Sequence, residues 1–459
     1  MAELVKIKIS NPNFGLTKNC SQEHLSKERF KVIFEGRLSL SYMDRVVSLL
    51  GLFVFVGIAY LLSVDRTAIR WRTLLWGIAL QFGVGVVILR LPGGYAVFKF
   101  IGDRVGDFLN FSDAGARFVF GDSFQDHLIA FKVMPTIIFF CSFITILYYY
   151  GILQRVVRWI AALMVRSMGT SGGESLSCAA NIFVGPVEAP LLIKPYVKDM
   201  TQSELHAVMT GGFATIAGGV MAAYISFGIS AEHLIAASVM SAPAALAISK
   251  VMYPETEKSL TVGTNINTEV EQPYINLIDA VTSGASEGMK LVLNIIAMLI
   301  AFLALVAAFN SLLGWVGGLI GLPQLSLEWL FSLVLAPVAW LMGVPWADAR
   351  QVAILLGKKT ILNEFIAYLD LRTLAQNAQT IAAGKAAPGS LPTISERSQI
   401  ISTYALCGFS SISAIGIQIG GIGAIAPERQ HDLARLGVRA MIGGSLACFM
   451  TACVAGILL

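Results

Sequence analysis

The sequence predicts an all-α polytopic membrane protein, with about eight transmembrane helices, two re-entrant helical hairpins in an inverted repeat, and interfacial helices between them. Three observations predict this. Of 459 residues, 56% are hydrophobic and 14% charged, with a mean hydropathy of +0.71, which is not the usage of a soluble domain. Uncharged runs of about 20 residues recur, the length that crosses a hydrocarbon core of about 30 Å as a helix. Two further apolar segments are short, broken in the middle, and carry an acid after the break.

The first broken segment is SGGESLSCAANIFVGPVEAPLLIK, residues 171–194. Gly185 and Pro186 interrupt it, because proline donates no amide and its ring clashes with the preceding turn. Glu188 follows directly. The second, AILLGKKTILNEFIAYL over 353–369, is loosened at Gly357 and carries Glu364. A carboxylate at membrane depth costs about 2.5–3.5 kcal/mol on insertion scales, so it faces a cavity, an ion or a polar ligand. Paired interrupted segments in two halves of a chain point to a transporter's substrate site.

Taken in order, residues 1–45 form a polar, mixed-charge tail without the apolar core of a signal peptide. Residues 46–170 hold spans over 46–64, 73–89 and 133–153, with a punctuated amphipathic stretch at 90–126 that suits an interface. Residues 171–249 hold the first hairpin and spans over 207–231 and 234–249. Residues 250–347 begin with a polar loop to 285, continue into an uncharged run over 291–327 that allows one span and a return, and end in 329–347. There Pro337, Gly343 and Pro345 favour a bent helix over a span. Residues 348–459 hold the second hairpin, a polar linker over 375–397, and spans over 400–420 and 440–459. Arginine-bearing loops after spans one, three and seven fall on one face, which the positive-inside rule makes cytoplasmic. The first hairpin then enters from the cytoplasm and the second from outside.

The repeat extends past the acids. Gly212-Phe213-Ala214-Thr215-Ile216-Ala217-Gly218 follows the first, and Gly408-Phe409-Ser410-Ser411-Ile412-Ser413-Ala414 follows the second. Hairpins entering from opposite faces are inverted, the arrangement that permits alternating access to a midplane site.

At a helix break, freed carbonyls bind cations. Asn181 and Thr215, with the carbonyls of Val184 and Ile216, make an all-oxygen shell for a small hard ion such as Na⁺, although Asn181 is equally suited to capping a helix. Glu188 and Glu364 accept hydrogen bonds from ligand hydroxyls, or carry H⁺ with the ligand; satisfying amides at the hairpin tips is the plainer role. Lys358 and Lys359 are read as snorkelling to the interface, and His127, His206, His233 and His431 as solvated. The six cysteines have no metal-ligand spacing and read as small packing residues. No nucleotide-binding, nucleophile or zinc motif stands in a fitting context, so neither an enzyme nor a cofactor is expected. The net charge of +4 is too dispersed for a nucleic-acid partner.

AANIFVGPVEAPLLIKPY, SELHAVMTGGFATIAGG, MSAPAALAISKVMYPE, LNEFIAY and ALCGF..S.IGIQIGG together resemble the concentrative nucleoside transporters, in order, over residues 45–459. The resemblance implies a homotrimer in the lipid bilayer. Each protomer would have a scaffold and a mobile transport domain containing two opposed hairpins and two partly unwound helices, importing nucleosides with Na⁺ or, in some members, H⁺. It implies a multi-pass plasma-membrane protein, here of a bacterial inner membrane. It turns 329–347 into an interfacial helix.

By position, Glu188 matches the acid near the nucleobase, Val220 a small contact to the base, and Glu364, next to Asn363, the acid that holds the ribose. Asn181, Val184, Thr215 and Ile216 fall on the sodium shell. Where the family reads Gly-Gln-Thr/Ser-Glu, this chain has Gly185-Pro186-Val187-Glu188. Where it reads Gly-Phe-Ala-Asn-Phe-Ser-Ser, Ser411 replaces the ribose-binding Asn and Ala414 the last Ser. Sites built to hydrogen-bond a group discriminate strongly against its absence. The expectation is therefore intact Na⁺ coupling with rewritten recognition of a nucleoside-like ligand. The alternatives are an H⁺-driven form of the same machine and a non-transporting receptor of the same fold.

Overall fold

The structure, a computed structural model, describes residues 42–261, 274–387 and 389–459. The tail expected over 1–45 lies outside the described residues up to position 41, as does 262–273 of the polar loop. The chain divides at Asp44 and Arg45, and nearly all described residues belong to the second unit, Arg45–Leu459.

Among the described residues there is no strand. Seven helices among the described residues are long and apolar enough to cross a membrane: Tyr42–Leu61, Trp71–Leu89, Ile129–Tyr149, Gln202–Ser226, Ala231–Met252, Leu277–Leu319 and Pro427–Leu458. The seventh expected span, 400–420, is instead two shorter helices separated by a break, Glu396–Leu406 and Ile412–Ile425.

In chain order the α-helices are α1 (Tyr42–Leu61), α2 (Trp71–Leu89), α3 (Pro92–Leu109), α4 (Ser112–Phe120), α5 (Met134–Tyr149), α6 (Ile152–Met168), α7 (Gly172–Ala180), α8 (Lys194–Val197), α9 (Gln202–Ala214) and α10 (Gly218–Ser226). There follow α11 (Ala231–Met252), α12 (Leu277–Leu319), α13 (Leu327–Val334), α14 (Ala336–Leu341), α15 (Trp346–Ile361), α16 (Glu364–Ala382), α17 (Glu396–Leu406), α18 (Ile412–Ile425) and α19 (Gln430–Leu458).

Burial sorts the long helices into two groups. In the most apolar window of α11, 89% of residues are buried, against 11% in that of α12. The inner group is α9, α10, α11 and α19, with α17 packed on α19. The outer group includes α12, which packs on α5, and α2, which packs on α11. Outer helices expose large apolar side chains such as Phe53, Leu75, Ile300 and Trp315, the surface expected of a helix whose solvent on one side is lipid.

Several expected boundaries shift for physical reasons. The third span ends at Tyr149, because Gly151 takes φ +69 and turns the chain into α6. The charges of Asp279, Glu287 and Lys290 hide the start of α12, which begins at Leu277 behind an Asn276 cap and runs for 43 residues. At 1.5 Å per residue that is about 65 Å, well beyond one bilayer core. The interfacial return expected after 291 is therefore helix throughout to Leu319. Residues 329–347 are bent as expected, with α13 and α14 meeting at Leu335 and Pro337 in the first turn of α14.

The second hairpin does not break at Gly357. Helix α15 runs unbroken through it to Ile361, and the ring of Phe331 occupies the space where a Cβ would stand. The break falls at Leu362 and Asn363, and α16 then continues to Ala382, so the linker begins eight residues later than 375. The spans expected over 207–231 and 400–420 are each interrupted, at 215–217 and 407–411.

Candidate functional site

Four breaks in the inner bundle meet. In the first hairpin, α7 starts in a capping box between Ser171 and Glu174 and stops at Ala180. Its return arm is a 3-10 turn over Ala189–Ile193, beginning with Pro190 near its start. Between α9 and α10, Thr215 is extended (φ −120, ψ 164). The Gly218 amide donates to the Phe183 carbonyl at 3.1 Å, joining this break to the first hairpin. Between α17 and α18, Gly408 adopts φ +131, which suits glycine alone. A Cβ there would also strike Phe213 and Ala214. The Phe409 amide donates to the Thr215 carbonyl (3.3 Å), and the Ser413 hydroxyl to the Leu362 carbonyl in the second hairpin (3.3 Å). Hydrogen bonds thus link all four interruptions in sequence.

Glu364 opens α16 and is 3% exposed. Its Oε1 accepts from the Tyr224 hydroxyl at 3.0 Å, while Oε2 is buried without a partner among the described residues. Tyr224 stacks on Tyr368 with centroids 4.2 Å apart, and Tyr368 donates to the Thr403 carbonyl at 2.8 Å. Asn363 uses its Oδ1 to cap the Ile366 amide (3.1 Å), the preferred job of Asn at an N-cap. That leaves its amide nitrogen for other partners. Val220, Ser411 and Ala414 are buried in the same region, and Ser411 pairs with Ser413 at 3.1 Å.

Glu188 is not the mirror of Glu364. It is exposed, its carboxylate lies over Gly185, and its charged neighbour is Glu287 of α12. Pro186 sits against Gly212, and the methyls of Val187 sit where Gly421 of α18 lacks a Cβ. Val187 therefore packs between the repeats, and Pro186 packs within the first.

The residues expected to hold a cation fit one. Asn181 is wholly buried, and neither Oδ1 nor Nδ2 has a partner among the described residues. It follows the last residue of α7, yet its side chain caps nothing. Leaving such a group unpaired is costly unless something fills the place. Thr215 donates its hydroxyl proton to the Gly211 carbonyl (2.8 Å), which turns oxygen lone pairs outward. The Val184 and Ile216 carbonyls accept no hydrogen bond among the described residues. Oxygen-only donors of this kind suit a small hard ion.

Four functional candidates escaped the sequence reading. Tyr224 and Tyr368 had one signal, a hydroxyl in an apolar helix. Gln418 is fully buried with both amide atoms unpartnered, beside Gly212. Lys359 does not snorkel: it is 2% exposed and donates to the Ala405 carbonyl at 2.9 Å. Lys358 instead pairs with Asp370 at 2.8 Å. His206 is likewise buried, on Ser249 at 2.7 Å, not solvated. A separate polar cavity lined by Arg70, Ser171, Glu174, Lys250 and Glu255 lies at the start of α7, and no residue of the four breaks lines it.

Interrupted helices meeting inside a buried bundle, with unpaired polar groups at the breaks, define the secondary-transporter class. The chain belongs to the Na⁺-dependent nucleoside transporter family. Residues 50–123 match the Na⁺ dependent nucleoside transporter N-terminus, 233–456 its C-terminus, and 130–231 the nucleoside recognition (Gate) model. The chain is 47% identical over 415 residues to solute carrier family 28 member 3 of Rattus norvegicus, and 46% identical over 415 residues to sodium/nucleoside cotransporter 1 of the same organism. Each match covers 90% of this chain but 59% and 64% of those relatives' length. CNTnw in an inward-facing substrate-bound state superposes with TM-score 0.83 at 36% identity, covering 90% of this chain and 98% of that one. An outward-facing variant of CNTnw gives TM-score 0.83 at 36% identity, covering 91% and 98%.

Proposed function

We propose that this chain is a secondary active symporter that imports nucleosides or nucleoside-like ligands with Na⁺ by an elevator-type alternating-access mechanism. The observation that carries the reading is the pair of unpartnered buried groups at the linked helix breaks, Asn181 and the Glu364 Oε2. Family membership supports the coupling ion and the ligand class.

A bound cation supplies positive charge that neutralises the carbonyl ends of the broken first repeat. Asn181 and Thr215 orient oxygens toward it, and the linked breaks at Phe183–Gly218 and Thr215–Phe409 tie that region to the second repeat. Glu364, aligned by Tyr224, accepts from ligand hydroxyls through its free oxygen. Val220 and the tip at Gly185, Pro186, Val187 and Glu188 bound the base side, with Ser411, Ala414 and Asn363 near the sugar. The inner helices move as a transport domain against a scaffold formed by the outer ones, in a homotrimer within a bacterial inner membrane.

Uptake into proteoliposomes tests this, using labelled purine, pyrimidine and modified nucleosides under an imposed Na⁺ gradient, an H⁺ gradient or neither. Accumulation is expected with Na⁺ alone. Accumulation under a proton gradient alone would transfer the coupling to H⁺, and no uptake of any nucleoside would overturn the reading.

A further inference from the structure

The two repeats neutralise their helix breaks differently. In the first repeat, α7 and α9 both end at the break, and neither has a basic residue in its last turn. The sequence holds no Lys, Arg or His from Gly172 to Ile193. In the second repeat, α15 and α17 end at the equivalent place, and α15 carries Lys359 in its last turn. The Lys359 ammonium donates to the Ala405 carbonyl, in the last turn of α17, at 2.9 Å. Cys448, which neighbours the ammonium, donates through Sγ to carbonyls at the ends of both α17 and α9, Cys407 and Ala214.

Each helix C-terminus carries roughly half a negative charge, so two converging ends present about one. A monovalent cation offsets one such pair.

The registers of the repeats sharpen the contrast. Asn181 lies seven residues before Glu188, and seven before Glu364 stands Gly357, which offers no side-chain oxygen. Thr215 lies three residues after Gly212, and three after Gly408 stands Ser411, which keeps the hydroxyl. The second repeat therefore retains one donor, lacks the amide, and has a buried lysine two positions further on. A buried ammonium is costly unless its surroundings are already electronegative. The observed surroundings, carbonyl ends and the nearby Glu364, are of that kind.

We propose that Lys359 is a built-in cation, standing in the second repeat for the ion that the first repeat takes from solution, so that each chain couples a single Na⁺. The inference rests on the sodium-coupled reading above.

The test compares the full chain with Lys359→Ser and Lys359→Met, measuring equilibrium binding of radiolabelled Na⁺ and the melting temperature in NaCl against choline chloride. Wild type is expected to bind one Na⁺ per chain. Serine removes the ammonium and adds an oxygen, so Lys359→Ser is expected to bind one more Na⁺ and to gain a larger NaCl-dependent rise in melting temperature. Lys359→Met, without an oxygen donor, is expected to melt lower in both salts and to bind no additional ion. A serine variant with the wild-type number of Na⁺ ions and the wild-type salt response would overturn the inference. So would a serine variant that stays unfolded in saturating NaCl, because the added ion should rescue it. Wild type that binds no Na⁺ would instead overturn the sodium-coupled reading, leaving the lysine to be judged on whether the serine variant acquires a Na⁺ response that wild type lacks.

Discussion

The Tyr224 hydroxyl donates to the Glu364 Oε1 at 3.0 Å, and this bond ties α10 of the first repeat to the opening of α16 in the second. It fixes one carboxylate oxygen, while the other is buried without a partner among the described residues. Stacking on Tyr368 holds the phenol in place, so the protein's own contacts orient the carboxylate.

Removing that bond tests the aim without removing the charge. A hydrogen bond to a charged group contributes about 1.5–3 kcal/mol, and every 1.4 kcal/mol is about tenfold in affinity. Tyr224→Phe is therefore expected to weaken nucleoside binding by about tenfold or more, with Na⁺-dependent stabilisation retained. Isothermal titration and melting curves on the same preparation separate the two effects. Unchanged ligand affinity would show that Glu364 needs no orientation.

Asn181 makes the complementary case for the ion. Its Oδ1 and Nδ2 are buried and unpartnered among the described residues, so Asn181→Ala removes an oxygen from the proposed shell without breaking a side-chain hydrogen bond among them. The Na⁺ concentration for half-maximal uptake is expected to rise on the order of tenfold to 100-fold, the range seen when a metal site loses a supporting partner. If Asn181 were a structural cap instead, the variant would lose stability equally in NaCl and choline chloride.

Spans one and two and the first hairpin were legible because hydropathy and the Gly185–Pro186 interruption act locally. The second break was misplaced because Gly357 looks like a flexible point, and only the packing of Phe331 explains that glycine. Helix α12 was cut short because charged residues at its start read as loop, although a helix can leave the bilayer and remain a helix. The paired acids were found from sequence, but their inequivalence was not. Buried Glu364 takes its hydrogen bond from Tyr224, 140 residues away, and no local pattern encodes that contact. Lys359 was misread for the same reason, since the Ala405 carbonyl that receives it lies 46 residues on.

At the start of α7, Lys250 and Glu174 form a buried pair at 2.7 Å, with the lysine also donating to Ser203 at 2.8 Å. Breaking a buried pair from one side leaves an uncompensated charge and costs about 3–5 kcal/mol. Lys250→Met is expected to lower the melting temperature sharply. Adding Glu174→Gln should recover much of that loss, because Gln at the third helical position still closes the capping box. Melting curves for both single variants and the double variant give the coupling; additive losses would show that the pair is not a unit.

The last prediction concerns ligand choice. Pro186 and Val187 stand where the sequence resemblance implies polar side chains, and they pack on Gly212 and Gly421. Gln418, beside Gly212, has two buried amide atoms without partners among the described residues. Val187→Thr is nearly isosteric, and Pro186→Gln places a second amide within the same cluster. Each restored hydrogen bond is worth about 0.5–1.5 kcal/mol net, so the double variant is expected to raise apparent uridine affinity by about tenfold. Competition by unlabelled pyrimidine and purine nucleosides in the uptake assay reads this directly. An unchanged uridine affinity would place discrimination in the second hairpin, around Asn363 and Glu364, and would mean that the apolar tip serves only to seal the first hairpin against α18.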